Sequence, residues 1–449
     1  MIVLQVSSPS FSASLNLSIP DRSLAEWLTL LEARHPSEID LGLQRVSAVW
    51  SAILALRAQN NPVSLPTAIT VGGTNGKGSC VTTMQAIMLQ QGYRVGTFTS
   101  PHFIDYNERI CVQGTPVDDA SITRAFVEIE AARGDISLTY FEFGCLAALL
   151  VFIDANVDIM LLEVGLGGRL DAINIIDADV AVVASIGLDH QAWLGDTREL
   201  IAVEKLGIAR EGRPLVIAEA DAPIGFADML ANTGAEVFRI GEAFSLDPRG
   251  DVFDLRVRTP SNETLFFKDL PSDGLLPSNK SAAIQALLCA GYSLDQEKVR
   301  AAMQGLGLTG RHQRCSINGV KVILDVAHNP AAAAVLAQRL APIAGRYWAV
   351  ASVLADKDWP GIVAPLSSII DHWCIAEISD SNRATKGQTL FEVVYNAGLS
   401  AVLFDGLEQA FLSAVSQASN DDVVVVFGSF HTVSAVLKMQ RSSGGYTNE

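Results

Sequence analysis

The stretch VGGTNGKGSC, Val71 to Cys80, lies between the apolar run TAITV and the pattern VTTMQAIMLQQGY. The first reads as a short buried strand. The second reads as a helix with Gly92 just past its end. A glycine-rich turn from strand to helix constrains the fold strongly. It sets backbone N–H groups at the edge of a sheet and at the positive end of a helix dipole. The common phosphate-loop spelling, G-x-x-x-x-G-K-[ST], is not met. Val71 stands where its first glycine belongs, and Gly78 follows Lys77, so a hydroxyl arrives only at Ser79. As a nucleotide loop, Gly73, Thr74, Asn75, Gly76 and Gly78 would let amides converge on phosphate oxygens. Lys77 would reach the β/γ-phosphates and Ser79 would touch phosphate or metal. The alternative is an ordinary tight turn, and the loop alone names no reaction.

The alternation continues along the chain. RVGTFTS, DIMLLEVG, VAVVASIG and PLVIAE are strand-like, separated by helical stretches such as TYFEFGCLAALLVFIDA. This indicates a mostly parallel sheet with helices on both faces. Upstream, DRSLAEWLTLLEARHP reads as a helix with a Ser23/Glu26 capping box, an apolar stripe of Leu24, Trp27, Leu28 and Leu31, and a stop at Pro36. GLQRVSAVWSAILALRAQN is a second helix, closed by Asn60, Asn61 and Pro62. DVFDLRVRTPSNETLFFKDL alternates in period two around a turn and predicts a hairpin. A helix follows from about Lys280. After the glycine-rich QGLGLTG the pattern restarts, with a strand in VKVILDVAHNP, a helix in AAAAVLAQRLAP, a strand in YWAVASVL and a last strand in DDVVVVFGS. The 449 residues are long for one core. Two domains are expected. Residues 1–308 form a P-loop ATPase-like domain with a mostly parallel sheet, and residues 309–449 a smaller Rossmann-like α/β domain.

A net charge of -17 argues against broad nucleic-acid binding. A local cluster of cations and amides can still hold an anionic small molecule. No apolar run reaches the ~18 residues of a membrane helix, and the N-terminus has no basic residue before its short apolar start, unlike a signal peptide. The six cysteines are scattered without a C-x-x-C pair. That argues against a zinc site or disulfide framework and for a reducing cytoplasm. The serine-rich start and the polar tail RSSGGYTNE carry no repeat.

Other polar residues gather where strands end. In TSPHFIDYNERI, Ser100 and His102 would lie at the carboxyl edge of the sheet, where open α/β folds bind ligands. In LLEVGLGGRLDAIN, Glu163 ends an apolar strand. A buried carboxylate needs compensation, either by a metal or by a salt bridge to Arg169. In ASIGLDHQAWLG, Asp189 and His190 emerge at the same edge, and His190 is a candidate Mg²⁺ ligand or water-positioning residue. IAVEKLGIAREG places Glu204 and Lys205 early in a helix, by default as solvated charges. At the second domain, Arg311 could clamp a phosphate from the hinge, Asp325 could accept from a ribose hydroxyl, and His328 and Asn329 follow in the turn.

In this order, GTNGKGS, TSPH…NERI, EVGLGGRLDAIN, GLDH…LG, EKLGIAR, LDVAHNP, DKD and VFGSFHTV resemble folylpolyglutamate synthase of the Mur ligase superfamily. The likeness is nearest to the bifunctional bacterial dihydrofolate synthase/folylpolyglutamate synthases, and runs from about Asp21 to Val433. That superfamily writes its loop G-T-x-G-K, which explains the unusual spelling. The resemblance implies an ATP site at the loop, completed by Asn279, Arg311, Asp325 and His328. It implies one Mg²⁺ on Ser100 and Glu163, a second on His190, and a carbamylated Lys205 serving as a metal-binding carboxylate. Asp40, Leu41, Gly42 and Leu43, with Thr139, Phe141, Glu142, Leu170, Asp171 and Ala172, match parts that hold the pterin of dihydropteroate. Arg383, Ser429 and His431 are candidates for L-glutamate. Lys77, His190 and Lys205 would carry the chemistry. The implied reaction is ATP-dependent addition of L-glutamate to dihydropteroate and to tetrahydrofolates by a cytoplasmic monomer, through an acyl phosphate. The alternatives are polyglutamylation alone, a Mur ligase acting on a peptidoglycan precursor, or a P-loop switch. A switch would need a metal-binding aspartate where Glu163 stands.

Overall fold

The computed structural model describes residues 21–443 and 446–448, apart from residues 36, 38, 60, 61, 341 and 380. The helix stops expected at Pro36 and at Asn60 and Asn61 lie outside the described residues, as does the serine-rich start.

The first strands are β1 Thr67–Gly72, β2 Val95–Phe98, β3 Ile110–Val112, β4 Thr115–Pro116, β5 Ile159–Glu163, β6 Val180–Val183, β7 Pro214–Ile217 and β8 Glu236–Arg239. They make one sheet in the order β4-β3-β2-β5-β1-β6-β7-β8. The central apolar runs form strands that are buried on both faces, and β3, β4 and β8 extend them toward the sheet edges. Pairing is parallel from β2 through β8 and antiparallel at β3 and β4. Side chains alternate between two cores. Met160, Leu162, Ala181 and Val183 face one, while Ile159, Leu161, Val180 and Val182 face the other. Both faces are helix-covered, which is why these strands read as continuous apolar runs.

The expected hairpin gains a third strand. β9 Phe244–Arg249, β10 Val252–Arg258 and β11 Thr264–Pro271 form an antiparallel meander, with a bulge between Phe253 and Leu255. The second large sheet starts after the helix Gln296–Met303. Its strands are β12 Gln313–Ile317, β13 Val320–Leu324, β14 Tyr347–Ala351, β15 His372–Ala376, β16 Ala401–Phe404, β17 Val423–Phe427 and β18 Tyr446–Asn448, in the order β16-β15-β14-β17-β13-β12-β18. The run DDVVVVFGS is therefore not the last strand. The polar tail returns to pair antiparallel with β12.

The capping box of the first helix is present. Ser23 Oγ accepts from Glu26 N, and Glu26 accepts from Ser23 N at 2.8 Å. The helix Tyr140–Asp154 is buried over most of its length, Glu142 to Phe152, so it is a core helix rather than an amphipathic cover.

Candidate functional site

β1 ends at Gly72, and four residues separate it from the helix Lys77–Gln91. Gly76 caps that helix at φ 87°, a left-handed conformation that favours glycine. A Cβ there would sit 2.6 Å from Asn279 Oδ1, so the absence of a side chain admits Asn279 against the loop. A Cβ on Gly73 would meet the backbone N of Ser185 at 3.1 Å. The loop is thus seated on the segment leaving β6. Asn75 N donates to Ser185 Oγ at 2.8 Å, and Thr74 Oγ1 donates to Gly187 O at 3.0 Å. Lys77 Nζ curls back to donate to Gly73 O at 3.0 Å and Thr74 O at 3.4 Å. Burial lowers its pKa.

Glu163 closes β5 in a buried position under this loop. Ser100 N donates to its Oε2 at 3.3 Å, and a Cβ on Gly78 would lie 3.6 Å from the same oxygen. Burial raises the Glu163 pKa, while the charges of Lys77 and Arg311 oppose the rise. The salt bridge to Arg169 does not form, since Arg169 pairs with Glu204 at 2.8 Å. A buried carboxylate held by backbone N–H groups, beside a serine, is a hard oxygen donor set that fits Mg²⁺ or Mn²⁺.

His190 begins the next strand-end turn at φ 51°. Burial pushes its pKa down to about 4, which leaves the neutral imidazole that binds metals. Its donor atom lies with those of Asp189 and Asp356 inside a 4.8 Å sphere of mutual distance. Lys205 departs from its expected position. It sits in the last turn of the helix Arg198–Leu206, buried, while Glu204 beside it is half-buried. Burial brings its ammonium down to about 7.

The hinge residues come from the second sheet. Asp325 follows β13. Its Oδ2 accepts from His312 N at 2.8 Å and its Oδ1 from Ala327 N at 2.9 Å. Arg311 lies over the Phe430 ring, 5.4 Å from the centroid, and its charge is felt by both Asp325 and Glu163. Arg311 therefore stands between the two sheets.

The spacing of the sequence does not mark a further cluster that joins them. Asp189 Oδ2 lies 3.1 Å from His328 Nε2 and accepts from Asn329 Nδ2 at 3.3 Å, while its Oδ1 accepts from Lys357 Nζ at 2.5 Å. Asn329 also exchanges amide hydrogen bonds with Asn75 in the loop, at 3.2 and 3.0 Å. Burial would raise the Asp189 pKa, but the His328 hydrogen bond and the Lys357 charge outweigh it and hold the carboxyl far below the usual range. The DKD motif supplied Asp356 and Lys357 without a role. Only their tertiary placement gives one.

The segments assigned to pterin converge. Gly42 N donates to Leu170 O at 3.3 Å. Arg45 Nη2 donates to Asp40 O at 2.8 Å and to Glu142 Oε1 at 3.1 Å. A Cβ on Gly165 would meet the Phe141 ring at 2.5 Å. Asp171 is buried, accepts from Leu166 N and Ile173 N, and has its pKa raised to about 6 by burial. Ala172 is buried beside it, and Leu41 and Leu43 are half-buried. Thr139 and Glu142 form the capping box of the core helix, so part of their polar capacity is already used.

The glutamate candidates are more scattered. Arg383 Nη2 lies 3.3 Å from Asp356 Oδ1, at the edge of the cluster on Asp189. Ser429 is buried, and its hydroxyl accepts from Thr432 N at 3.0 Å, the role of a helix cap. His431 is half-buried on the following turn.

Two α/β sheets with a phosphate-type loop at the carboxyl edge of the first define the class of Mur-type ligases. Residues 310–430 match the family model "Mur ligase, glutamate ligase domain". The dihydrofolate synthase/folylpolyglutamate synthase of Escherichia coli K12 is 42% identical over 426 residues, covering 94% of this chain and 97% of the relative. The structure of E. coli FolC in complex with DHPP and ADP superposes with a TM-score of 0.86 at 40% identity, over 94% of this chain and 98% of that one. A bifunctional folylpolyglutamate synthase/dihydrofolate synthase with Mn, AMPPNP and L-glutamate bound gives 0.84 at 41%, with the same coverage. The chain belongs to the dihydrofolate synthase/folylpolyglutamate synthase family.

Proposed function

We propose that this chain is an ATP-dependent ligase. It joins L-glutamate to dihydropteroate, giving dihydrofolate, and to the γ-carboxylate of tetrahydrofolates. The observation that carries the reading is the loop at Gly73–Ser79, with Lys77 beside a buried Glu163 and Asn329 of the second unit paired with Asn75. In relatives of the same fold the bound molecules are ADP and DHPP, or Mn, AMPPNP and L-glutamate.

A carboxylate does not acylate an amine at neutral pH, because its oxygen leaves poorly. Its phosphorylation by ATP supplies a leaving group. The loop amides and Lys77 would neutralise charge developing on the γ-phosphoryl group. Asn279, Arg311, Asp325 and His328 would hold the rest of the nucleotide from the loop side and the hinge. Ser100 and Glu163 would hold one divalent ion and His190 a second, and such ions when bound screen phosphate charge and orient its oxygens. Lys205, neutral in part at pH 7, can attack CO₂: an N–C bond forms, a proton leaves, and the product is a carbamate anion that extends the donor set. The neutral glutamate amine then attacks the acyl carbon: the C–N bond forms, the C–O bond to phosphate breaks, and the amine gives up a proton. The convergent segments at Asp40, Phe141 and Asp171 would hold the pteroate, with Arg383, Ser429 and His431 on the glutamate side. Residues 1–308 and 309–449 act as the two halves of this site, in a cytoplasmic monomer.

The test is ATP consumption with L-glutamate and, in turn, dihydropteroate, a tetrahydrofolate or a murein precursor. Turnover is expected with the first two only. Turnover with the murein precursor would assign the chain to peptidoglycan synthesis, and loss of the dihydropteroate reaction alone would reduce it to polyglutamylation. Lys77→Ala should abolish both reactions while leaving the circular dichroism spectrum unchanged.

A further inference from the structure

We infer that Lys357 is a pin that holds the two α/β units closed over the phosphate loop, a positioning residue for the ligase reaction. Its ammonium lies 2.5 Å from Asp189 Oδ1 of the first unit and 3.0 Å from Asp356 Oδ2 of the second. The side chains of Lys357 and Asp189 are each only 6% exposed. The donor oxygens of Asp189 and Asp356 lie within 4.8 Å of one another. Two carboxylates that close, in a site with little water, repel strongly. The Lys357 ammonium, in contact with both, turns that repulsion into attraction across the boundary.

The pin also governs the loop. Among the described residues, the side chains that hydrogen-bond to the Asp189 carboxylate, His328, Asn329 and Lys357, come from the second unit. Asn329, fixed in part by Asp189, forms the reciprocal amide pair with Asn75. The Asn75 backbone is held by Ser185 of its own unit, but its side-chain amide has this partner only when the units are together. Arg383 leans on the other oxygen of Asp356, which ties the same cluster to the side proposed for glutamate. Closure, loop geometry and the amine side of the site therefore meet at one ammonium. A closed site keeps water from an acyl phosphate, so loss of the pin should show first as wasted ATP.

The test rests on the ligase reading and separates from it. The full-length protein is assayed for ADP released per dihydrofolate formed, with ATP, dihydropteroate and L-glutamate. A wild type that makes no dihydrofolate would defeat the ligase reading itself. Given activity, wild type should release about one ADP per product. Lys357→Met should raise that ratio several-fold and increase the radius of gyration in small-angle scattering with nucleotide bound. Removing the repulsion as well, in Lys357→Met/Asp356→Asn, should bring the ratio part of the way back. A group that acts only by touching substrate would not be rescued this way. An unchanged ratio in Lys357→Met, or a raised ratio that the second substitution leaves untouched, overturns the inference. Should Lys357→Met fail to fold, the charge-balanced double variant decides: a ratio above wild type supports the pin, and a wild-type ratio overturns it.

Discussion

His312 shows how one buried side chain ties the site to pH. It stands at φ 48° beside Asp325, with its backbone N–H on that carboxylate, and its buried Nδ1 has no hydrogen-bond partner among the described residues. Burial pushes its pKa down to about 4, aided by the charges of Arg339 and Arg314. The folded state therefore refuses a proton that the unfolded chain accepts near pH 6.5. Where the unfolded state binds more protons, stability rises with pH. So the contribution of His312 is intact above about pH 6.5 and is lost as pH falls toward 4. His102 and His190, also near 4, act in the same direction. His312→Asn removes the titration and keeps a residue that tolerates a left-handed backbone. Urea midpoints at pH 7 and pH 5 should fall less in the variant than in wild type. Equal falls would show that His312 does not carry the linkage. Lys205 makes a related point about reading residues. Next to Glu204 in sequence it looks solvated, yet the turn of the helix buries one charge and half-exposes the other. One residue of helical phase decides this, and linear charge spacing does not record it.

Among the elements, the capped core helix Tyr140–Asp154 offers the clearest separation of stability from binding. Thr139 Oγ1 accepts from Glu142 N at 3.1 Å and Thr139 N donates to Glu142 Oε2 at 2.7 Å. Thr139→Ala removes the first bond and leaves the second, along with the Arg45 contact to Glu142. Loss of such a cap costs about 1 kcal/mol. The proposed pteroate contact predicts in addition a raised KM for dihydropteroate with the KM for ATP unchanged. A stability loss with both KM values unchanged would confine Thr139 to capping. Elements of this kind were legible in sequence, because capping boxes and buried apolar runs are local patterns. β15 and β16 were not. HWCIA opens on a histidine, and AVLF is a four-residue edge strand with Val402 and Leu403 exposed. β18 is a polar tail without an apolar run, and it pairs antiparallel with β12. The cluster on Asp189 was unreadable for a different reason. Its Lys357 and Asp189 are 168 positions apart, and no periodicity encodes such a meeting.

At the scale of the molecule, each large sheet carries its own pair of buried cores, and among the described residues no core of buried residues spans both. The boundary is held chiefly by polar contacts: Lys357 to Asp189, Asn329 to Asn75, Arg339 to Gly274 O at 2.6 Å and Arg441 to Asp105 at 2.8 Å. Phe103 packed on Phe430, 5.0 Å between centroids, adds one apolar contact. Cores that separate and a boundary rich in charge predict two unfolding steps. In 1 M salt the Debye length is about 3 Å, so the exposed ion pair of the boundary loses its attraction and the buried one is weakened less. Differential scanning calorimetry in high salt should therefore resolve two transitions. ATP analogues should reverse this, since the proposed nucleotide site draws Lys77 and Asn279 from one unit and Arg311 and Asp325 from the other. A ligand held at 100 times its Kd stabilises what it binds by about 2.7 kcal/mol. Bound by both units, AMPPNP should raise the lower transition and merge it with the upper. Two transitions in which only one responds to AMPPNP would place the nucleotide on a single unit, and would remove Arg311 and Asp325 from its site.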